Sequence, residues 1–247
     1  MDRLTGTEEL LDGPLDDRPA LVGNLRDLAR VNRRLGGIDL SARAIEALAP
    51  GHSSIEVLDV GTGGADIPLA LIDRGRARGR LVRVTGIDNR PEVLEAAALA
   101  DRRVTSTGEL VLHVADGQAL PFPDGAFEVA HSSLVMHHLE PDAARALLAE
   151  MARVARRGVV VNDLVRGRAA WAGAWALSHL ATRNRFTRRD APLSVRRAYS
   201  VAELTALLAA AGIRVERRFD GPFGHRVALA GRRSGQTCRT WRRGRRS

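Results

Sequence analysis

Lysine is absent from the 247-residue sequence, so all 38 basic residues are arginines. With so much alanine beside them, this skew fits genomic base composition and by itself names no function. Cysteine occurs once, at Cys238. That excludes an intramolecular disulfide and any multi-cysteine zinc site, and it fits a reducing cytoplasm. Long apolar runs are missing too. The longest nearly apolar stretch, Ala169 to Ala181, is broken by Ser178 and His179 and falls short of the ~20 residues a spanning helix needs. No membrane partner is expected. The N-terminus, MDRLTGTEELLDG, is acidic and mixed, without the basic start and apolar core of a secretory signal. A cytoplasmic location is the expectation. No internal repeat is found.

The composition, 45% hydrophobic and 27% charged, suits one α/β domain with a real core and argues against disorder. The net charge of +9 invites a nucleic-acid reading. Its location argues otherwise. Residues 232–247 hold seven arginines and no acid, so the rest of the chain carries only +2. The expectation is a disordered Arg-rich tail with weak affinity for any polyanion. Trp241 could stack on a base, which is thin support for nucleic acid.

Along the chain, residues 1–50 read as an N-terminal helical cap. Ala20 to Leu35 carries apolar residues at helical spacing and stops at Gly36-Gly37, and Ser41 to Ala49 is a second short helix. Residues 51–231 then alternate. Strands are expected at Ile55–Val60, Leu81–Ile87, Leu110–Ala115, Phe127–Ser133 and Gly158–Asn162, with helices Ile67–Arg76, Pro91–Leu99 and Asp142–Val154 between them. Such alternation gives a parallel sheet covered by helices on both faces. Residues 166–200 interrupt the pattern as an inserted lid, an apolar helix followed by an Arg-rich loop. Val201–Ala211 is a further helix. Arg214–Phe219 and His225–Ala230 read as an antiparallel pair at the sheet edge.

The chemistry begins at Val57-Leu58-Asp59-Val60-Gly61-Thr62-Gly63-Gly64-Ala65-Asp66, a buried strand entering a glycine turn and then a helix. Glycines there let the backbone turn tightly and a ligand approach closely. A dinucleotide fingerprint needs a small residue where Asp66 stands, and a carboxylate at a helix N-terminus opposes a pyrophosphate. S-adenosylmethionine carries a sulfonium, an ammonium and a carboxylate but no phosphate. Asp59 and Asp66 therefore move the reading from NAD to S-adenosyl-L-methionine; a plain helix cap is the alternative for Asp66. Asp88, followed by Asn89, ends the second strand twenty-five residues after Gly63. An acid there can accept from both ribose hydroxyls, and it can also cap the helix that starts near Pro91. Asp116 ends the third strand, where its carboxylate could accept from an adenine amino group.

Together VLDVGTGG, TGIDNRPEVLEAA and ADGQALPFPDGAFEVAHSSLVMHHL resemble class I S-adenosylmethionine-dependent methyltransferases, in the branch of quinone-biosynthesis and small-molecule enzymes. The resemblance covers roughly residues 55–164. It implies a Rossmann-like seven-stranded, mostly parallel sheet with an antiparallel last strand. It places Gly61 and Gly63 against the methionine part, Asp88 at the ribose, Asp116 with Gly117 at the adenine, and the strand-four end, Ser132 to Leu134, beside the methyl group; Thr62, Asn89 and Ser133 are expected in the same cofactor site. Glu128 stands where the motif usually has Asp, a structural departure. The segments Arg30–Gly37 and Pro192–Tyr199 are similar to actinobacterial methyltransferases of polyketide pathways. That implies a small aromatic or polyketide acceptor.

Three further readings concern the acceptor. His137 and His138 follow the fourth strand, where the acceptor pocket should open. Imidazole is suited to taking a proton near neutral pH, so His137 is the candidate base and His138 a packing or capping residue; local packing is the alternative for both. Trp171 and Trp175 share one helix face and read either as a lid over an aromatic substrate or as core. Arg33 could pair with the cofactor carboxylate or lie on the surface. No His-x-x-x-His pair occurs, so no metal is expected. The function expected is phenol O-methylation, with C-methylation of a quinone-like ring as the alternative. An RNA methyltransferase or a non-catalytic S-adenosylmethionine-binding module stands behind both; His131-Ser132-Ser133-Leu134 lacks the Asn-Pro-Pro-aromatic pattern of base-flipping enzymes.

Overall fold

The computed structural model describes residues 1–235. Its seven strands are β1 Ser54–Val60, β2 Leu81–Asp88, β3 Leu110–Val114, β4 Phe127–Ser133, β5 Ala155–Leu164, β6 Ile213–Asp220 and β7 Arg226–Arg233. They form one sheet in the order β3-β2-β1-β4-β5-β7-β6. β1 is paired on both sides, in parallel, with β2 and β4. Its Val57 and Leu58 are fully buried, as expected of a strand covered on both faces. Only β7 is reversed. It lies between β5 and β6 and is antiparallel to both, so the final strand enters the sheet interior and β6 forms the edge.

Nine helices accompany the strands among the described residues: α1 Arg18–Arg34, α2 Gly37–Leu48, α3 Asp66–Ala77, α4 Pro91–Ala100, α5 Arg103–Ser106, α6 Pro141–Val154, α7 Arg168–Ala181, α8 Arg185–Arg197 and α9 Val201–Ala210. Their apolar sides build one core on each face of the sheet. Leu21 and Leu25 of α1, Ile45 and Leu48 of α2, Ile72 of α3 and Ala96 of α4 share the first. Leu148 and Met151 of α6 and Leu204 and Leu208 of α9 share the second. The ends are chemically marked. Asp17 caps α1 by accepting from Ala20 N, and Ser200 with Glu203 forms a capping box on α9.

Within residues 1–50, α2 lays Ala44, Ile45 and Leu48 into the sheet's own core. Two expectations change. The Arg-rich stretch expected as a loop is α8. Asn184 caps it through Phe186 N and Thr187 N, and Phe186 and Val195 are buried on its inner side. Arginine is a good helix former, and Pro192 inside the run obscured the pattern. Finally, β7 takes in Arg232 and Arg233, which were assigned to the tail. Arg232 is held by Glu216 and by the carbonyls of Arg157 and Leu48. The remainder of that tail, from residue 236, lies outside the described residues.

One glycine decides the β5–β7 register. A Cβ on Gly158, whose φ is +150°, would stand 2.3 Å from the Gly231 carbonyl oxygen. Glu128 is structural, as its departure suggested. It accepts from Glu56 N at 2.8 Å and pairs with Arg156, tying β4 to β1 and β5.

Candidate active site

The carboxyl ends of β1, β2, β3 and β4 lie side by side, which is where open α/β sheets bind ligands. After β1, the amides of Gly61 and Thr62 both donate to the Ile87 carbonyl, at 2.9 and 2.8 Å. The glycine turn is thereby pinned to the end of β2. Gly61 has φ +71°, and a Cβ there would meet Val135 Cγ2 at 2.3 Å. Gly63, φ +53°, has nothing within 4 Å of where a Cβ would stand. Its backbone is bare, as close approach of a ligand requires. Gly63 N donates to Asp88 Oδ2 at 3.2 Å, and Arg90 N donates to Oδ1 at 3.1 Å. Each oxygen keeps a lone pair for a further donor. Burial raises the Asp88 pKa above the usual carboxylate value against these amides.

Asn89 and Asp116 are exposed beside it, and Asp116 Oδ1 accepts from Gln118 N. Gly117 is pressed against Val60 and Leu147, where a Cβ would sit at 2.8 and 3.0 Å. The described structure thus collects Gly61, Thr62, Gly63, Asp88, Asn89, Asp116 and Gly117 at one end of three adjacent strands.

Asp59 and Asp66 belong to a buried polar network behind the turn. Asp59 accepts from Thr62 Oγ1 at 2.8 Å and from His131 Nδ1 at 2.6 Å. The other nitrogen of His131 bonds Ser41 Oγ at 2.8 Å, and Asn162 donates to the same hydroxyl. Asp66 accepts from Asn32 Nδ2 at 3.0 Å. Arg226, 1% exposed, joins the halves by donating to Asn162, Asn32 and Ser133, each at 2.6 Å. Burial lowers the Arg226 pKa to about 10, against the pull of Asp163 and Asp66. Burial also raises that of Asp66, opposed by the Asn32 hydrogen bond and Arg226. Ser133 is thus an acceptor for this arginine at the end of β4.

His137 and His138 lie in a 3₁₀ turn, Met136–His138, directly after β4. His137 is buried, and its Nδ1 lies 2.6 Å from Asp163 Oδ1 on β5. An ionised carboxylate only accepts, so this nitrogen carries a proton. Met136 N and Leu164 N also donate to Asp163. Burial pushes the Asp163 pKa up, but His137 and these amides hold it below its ordinary value. His138 lies against His137 with ring centroids 4.4 Å apart and the rings tilted by 36°, and it bonds Asp12 Oδ1 through Nδ1 at 2.7 Å. Its pKa is raised to about 8: burial works against the charged form, and the carboxylates of Glu9 and Asp12 outweigh it. Glu9 closes the cluster, with its carboxylate oxygens 3.8 Å from both Nε2 atoms. Among the described residues, Glu9, His137 and His138 bring possible metal-ligand atoms within 4.8 Å of one another. A search for paired histidines does not anticipate this set, because Glu9 arrives from the far end of the chain.

Three candidates stand apart. Arg33 is exposed, and its charge acts on Asp101; the neighbouring Asn32 is the residue of α1 that reaches α3. Trp171 and Trp175 are 39% and 50% exposed on α7, which packs against α8, and Trp175 stacks on His179 of its own helix. Neither ring is core. Sequence patterns do not single out Asn32, Asp163, Arg226 or Glu9, and they assign His131 no partner. Two of these leave a trace: a histidine inside the apolar strand β4, and an arginine opening the apolar run Val227–Ala230.

Residues 57–158 match the family model of a methyltransferase domain. The ubiquinone/menaquinone biosynthesis C-methyltransferase UbiE of Citrifermentans bemidjiense is 34% identical over 126 residues, 50% of this chain and 52% of that protein. The chain spans about half the length of the curated relatives it matches. Among solved structures, a SAM-dependent methyltransferase from Aquifex aeolicus superposes with a TM-score of 0.59 at 19% identity, covering 85% of this chain and 97% of the other. An O-methyltransferase family 2 protein from Planctomyces limnophilus, in complex with apigenin, gives 0.62 at 18%, covering 89% and 62%. At these identities the structural likeness is one of fold. No helix among the described residues is long and apolar enough to cross a membrane.

Proposed function

We propose that this class I methyltransferase domain transfers the methyl group of S-adenosyl-L-methionine to a small aromatic acceptor. The observation that carries the reading is the pairing of a bare Gly63 backbone with Asp88, 3.2 Å from its amide. S-adenosylmethionine supplies a methyl group on a sulfonium, already a strong electrophile. The protein's tasks are to hold, align and exclude water. Asp88 offers its two remaining lone pairs to the ribose hydroxyls, and Asp116 and Gly117 border the adenine. Ser133 marks the sheet end nearest the methyl group.

A phenol oxygen is the preferred acceptor. A phenol with a pKa near 10 benefits from losing its proton, and His137, oriented by Asp163 in the 3₁₀ turn after β4, would take it. In the arrangement described, Nε2 of His137 faces Glu9. Action as a free base therefore requires the N-terminal segment to move aside. The second reading, a ring carbon of a quinone-like substrate, is favoured by the sequence likeness to a quinone C-methyltransferase. The deciding experiment incubates the purified chain with S-adenosylmethionine and paired phenol and hydroquinone acceptors, then locates the methyl group by mass spectrometry and NMR. Methyl ethers support the first reading and ring-methylated products the second. S-adenosylmethionine binding without turnover on any small aromatic overturns both.

A further inference from the structure

We propose that Glu9, His137 and His138 form a binding site for one divalent transition-metal ion. The two imidazoles are set as metal-binding histidines are set. Each has its Nδ1 bonded to a carboxylate, His137 to Asp163 at 2.6 Å and His138 to Asp12 at 2.7 Å. That bond fixes the ring and leaves Nε2 free, the arrangement by which a carboxylate raises ligand basicity. Both Nε2 atoms then converge on the same side chain, 3.8 Å from Oε1 and Oε2 of Glu9.

Glu9 supplies the independent observation. It is 3% exposed, and its Oε1 has no hydrogen-bond partner. A buried carboxylate oxygen without a donor is costly. Arg197 does not relieve it. Its Nη1 stands 3.6 Å from Oε1 but bonds Asp12 at 2.7 Å, and its Nη2 bonds the His138 carbonyl. Glu9 Oε2 accepts from Ser194 Oγ at 2.8 Å. So one oxygen is braced and the other is free, aimed at His137.

Charge points the same way. Glu9, Asp12, Asp163 and Asp190 surround the cluster. Arg197 faces them, and Arg226 acts on Asp163 from the other side. These four acids outnumber the two arginines, an excess that a divalent ion or protonated imidazoles would balance.

Bonds of about 2.0–2.2 Å put ligand atoms roughly 3.3 Å apart, so the nitrogen–oxygen pairs at 3.8 Å need to close by about half an ångström, and the widest pair of a set that lies within 4.8 Å by up to about 1.5 Å. Two histidines and one carboxylate select zinc, iron, cobalt or nickel over magnesium, and they leave coordination positions open. An oxygen coordinated there is acidified. Resting on the aromatic-acceptor reading, this would serve a phenol where a free imidazole would otherwise act.

The test uses the full chain without a polyhistidine tag, stripped with a chelator and titrated with Co²⁺ and Zn²⁺, so it needs no turnover. One equivalent should bind, with visible Co²⁺ absorption that Zn²⁺ bleaches. Glu9→Gln and His138→Ala should each weaken Co²⁺ at least 100-fold, and Asp163→Asn about 10–100-fold. His179→Ala and Cys238→Ser should change nothing. Circular dichroism identifies any variant that has unfolded, and Glu9→Gln, which keeps size and shape, is the variant that decides. The proposal is overturned if the wild type binds no Co²⁺ below millimolar concentration, or if folded Glu9→Gln binds it unchanged. The first result would leave the cluster as imidazolium–carboxylate ion pairs. A failed methylation assay leaves this result standing, since the two readouts are separate.

Discussion

The two halves of the strand ends are built by different means. The half at β1, β2 and β3 is local: a glycine turn and two acids, each placed by the few residues around it, with bare backbone at its centre. The half at β4 and β5 is assembled from afar. Glu9 and Asp12 come from the N-terminus, His137 and His138 from the middle, Arg197 from α8 and Arg226 from β7, and four of these six, Glu9, His137, Arg197 and Arg226, are buried. The local half is set by backbone geometry and the assembled half by the balance of charge. They should therefore break differently.

The largest effect is expected in the assembled half. Arg226→Met strands Asp66 and Asp163 without their buried partner and removes the donors to Asn162, Asn32 and Ser133. Losing one side of a buried charge system costs about 3–5 kcal/mol, which urea denaturation should register as a collapse of the midpoint. Gly61→Ala comes next, on the local side. Its Cβ would overlap Val135 at a positive φ, and overpacking with left-handed strain costs about 2–4 kcal/mol. Thermal melts and calorimetry with S-adenosylmethionine should both report it.

Asp88→Ala sharpens the contrast, because it should spare the fold. Losing hydrogen bonds to a charged acceptor should weaken S-adenosylmethionine by about 1.5–3 kcal/mol. Unchanged affinity in a folded variant would remove Asp88 from the ribose. The smallest effect is a dependence on pH that belongs to the assembled half alone. With its folded pKa raised to about 8 from an ordinary 6.5, His138 stabilises the metal-free protein fully below about pH 6.5. That stabilisation is lost as pH rises through about 8, a change on the order of 1–2 kcal/mol. His138→Gln should flatten this slope in urea titrations run between pH 6 and 9. A wild-type slope of the opposite sign would refute the assignment.

The same division explains what could be read from the sequence. β4 is expected and found at Phe127–Ser133, because Phe127, Val129 and Ala130 follow directly on the Asp124-Gly125 turn. The glycine turn and Asp88 are legible because neighbours in sequence are neighbours in space. Asp163 is hidden at the end of the Val159–Val161 run, since its meaning depends on His137, twenty-six residues earlier. Glu9 is harder still. Within MDRLTGTEELLDG it is one of several acids, and only the fold buries it while leaving Glu8 exposed. Arg33 fails for a related reason: one step around a helix turns a side chain by about 100°, and that step separates it from Asn32. α8 hid among arginines because charge conceals a helix whose buried side needs only a few apolar residues.

The reversed strand β7 bears on the order in which the molecule can be finished. Until residues 226–233 leave the ribosome, the Val-rich β5 has an open edge, and β6, though already made, has nothing to pair with. An unpaired apolar edge is a template for other chains. The strand that seals it also delivers Arg226 to Asn32, so completing the sheet and closing the polar network around Asp66 are one event. During synthesis, competence to build the site and protection from aggregation should therefore arrive together, and from the same eight residues.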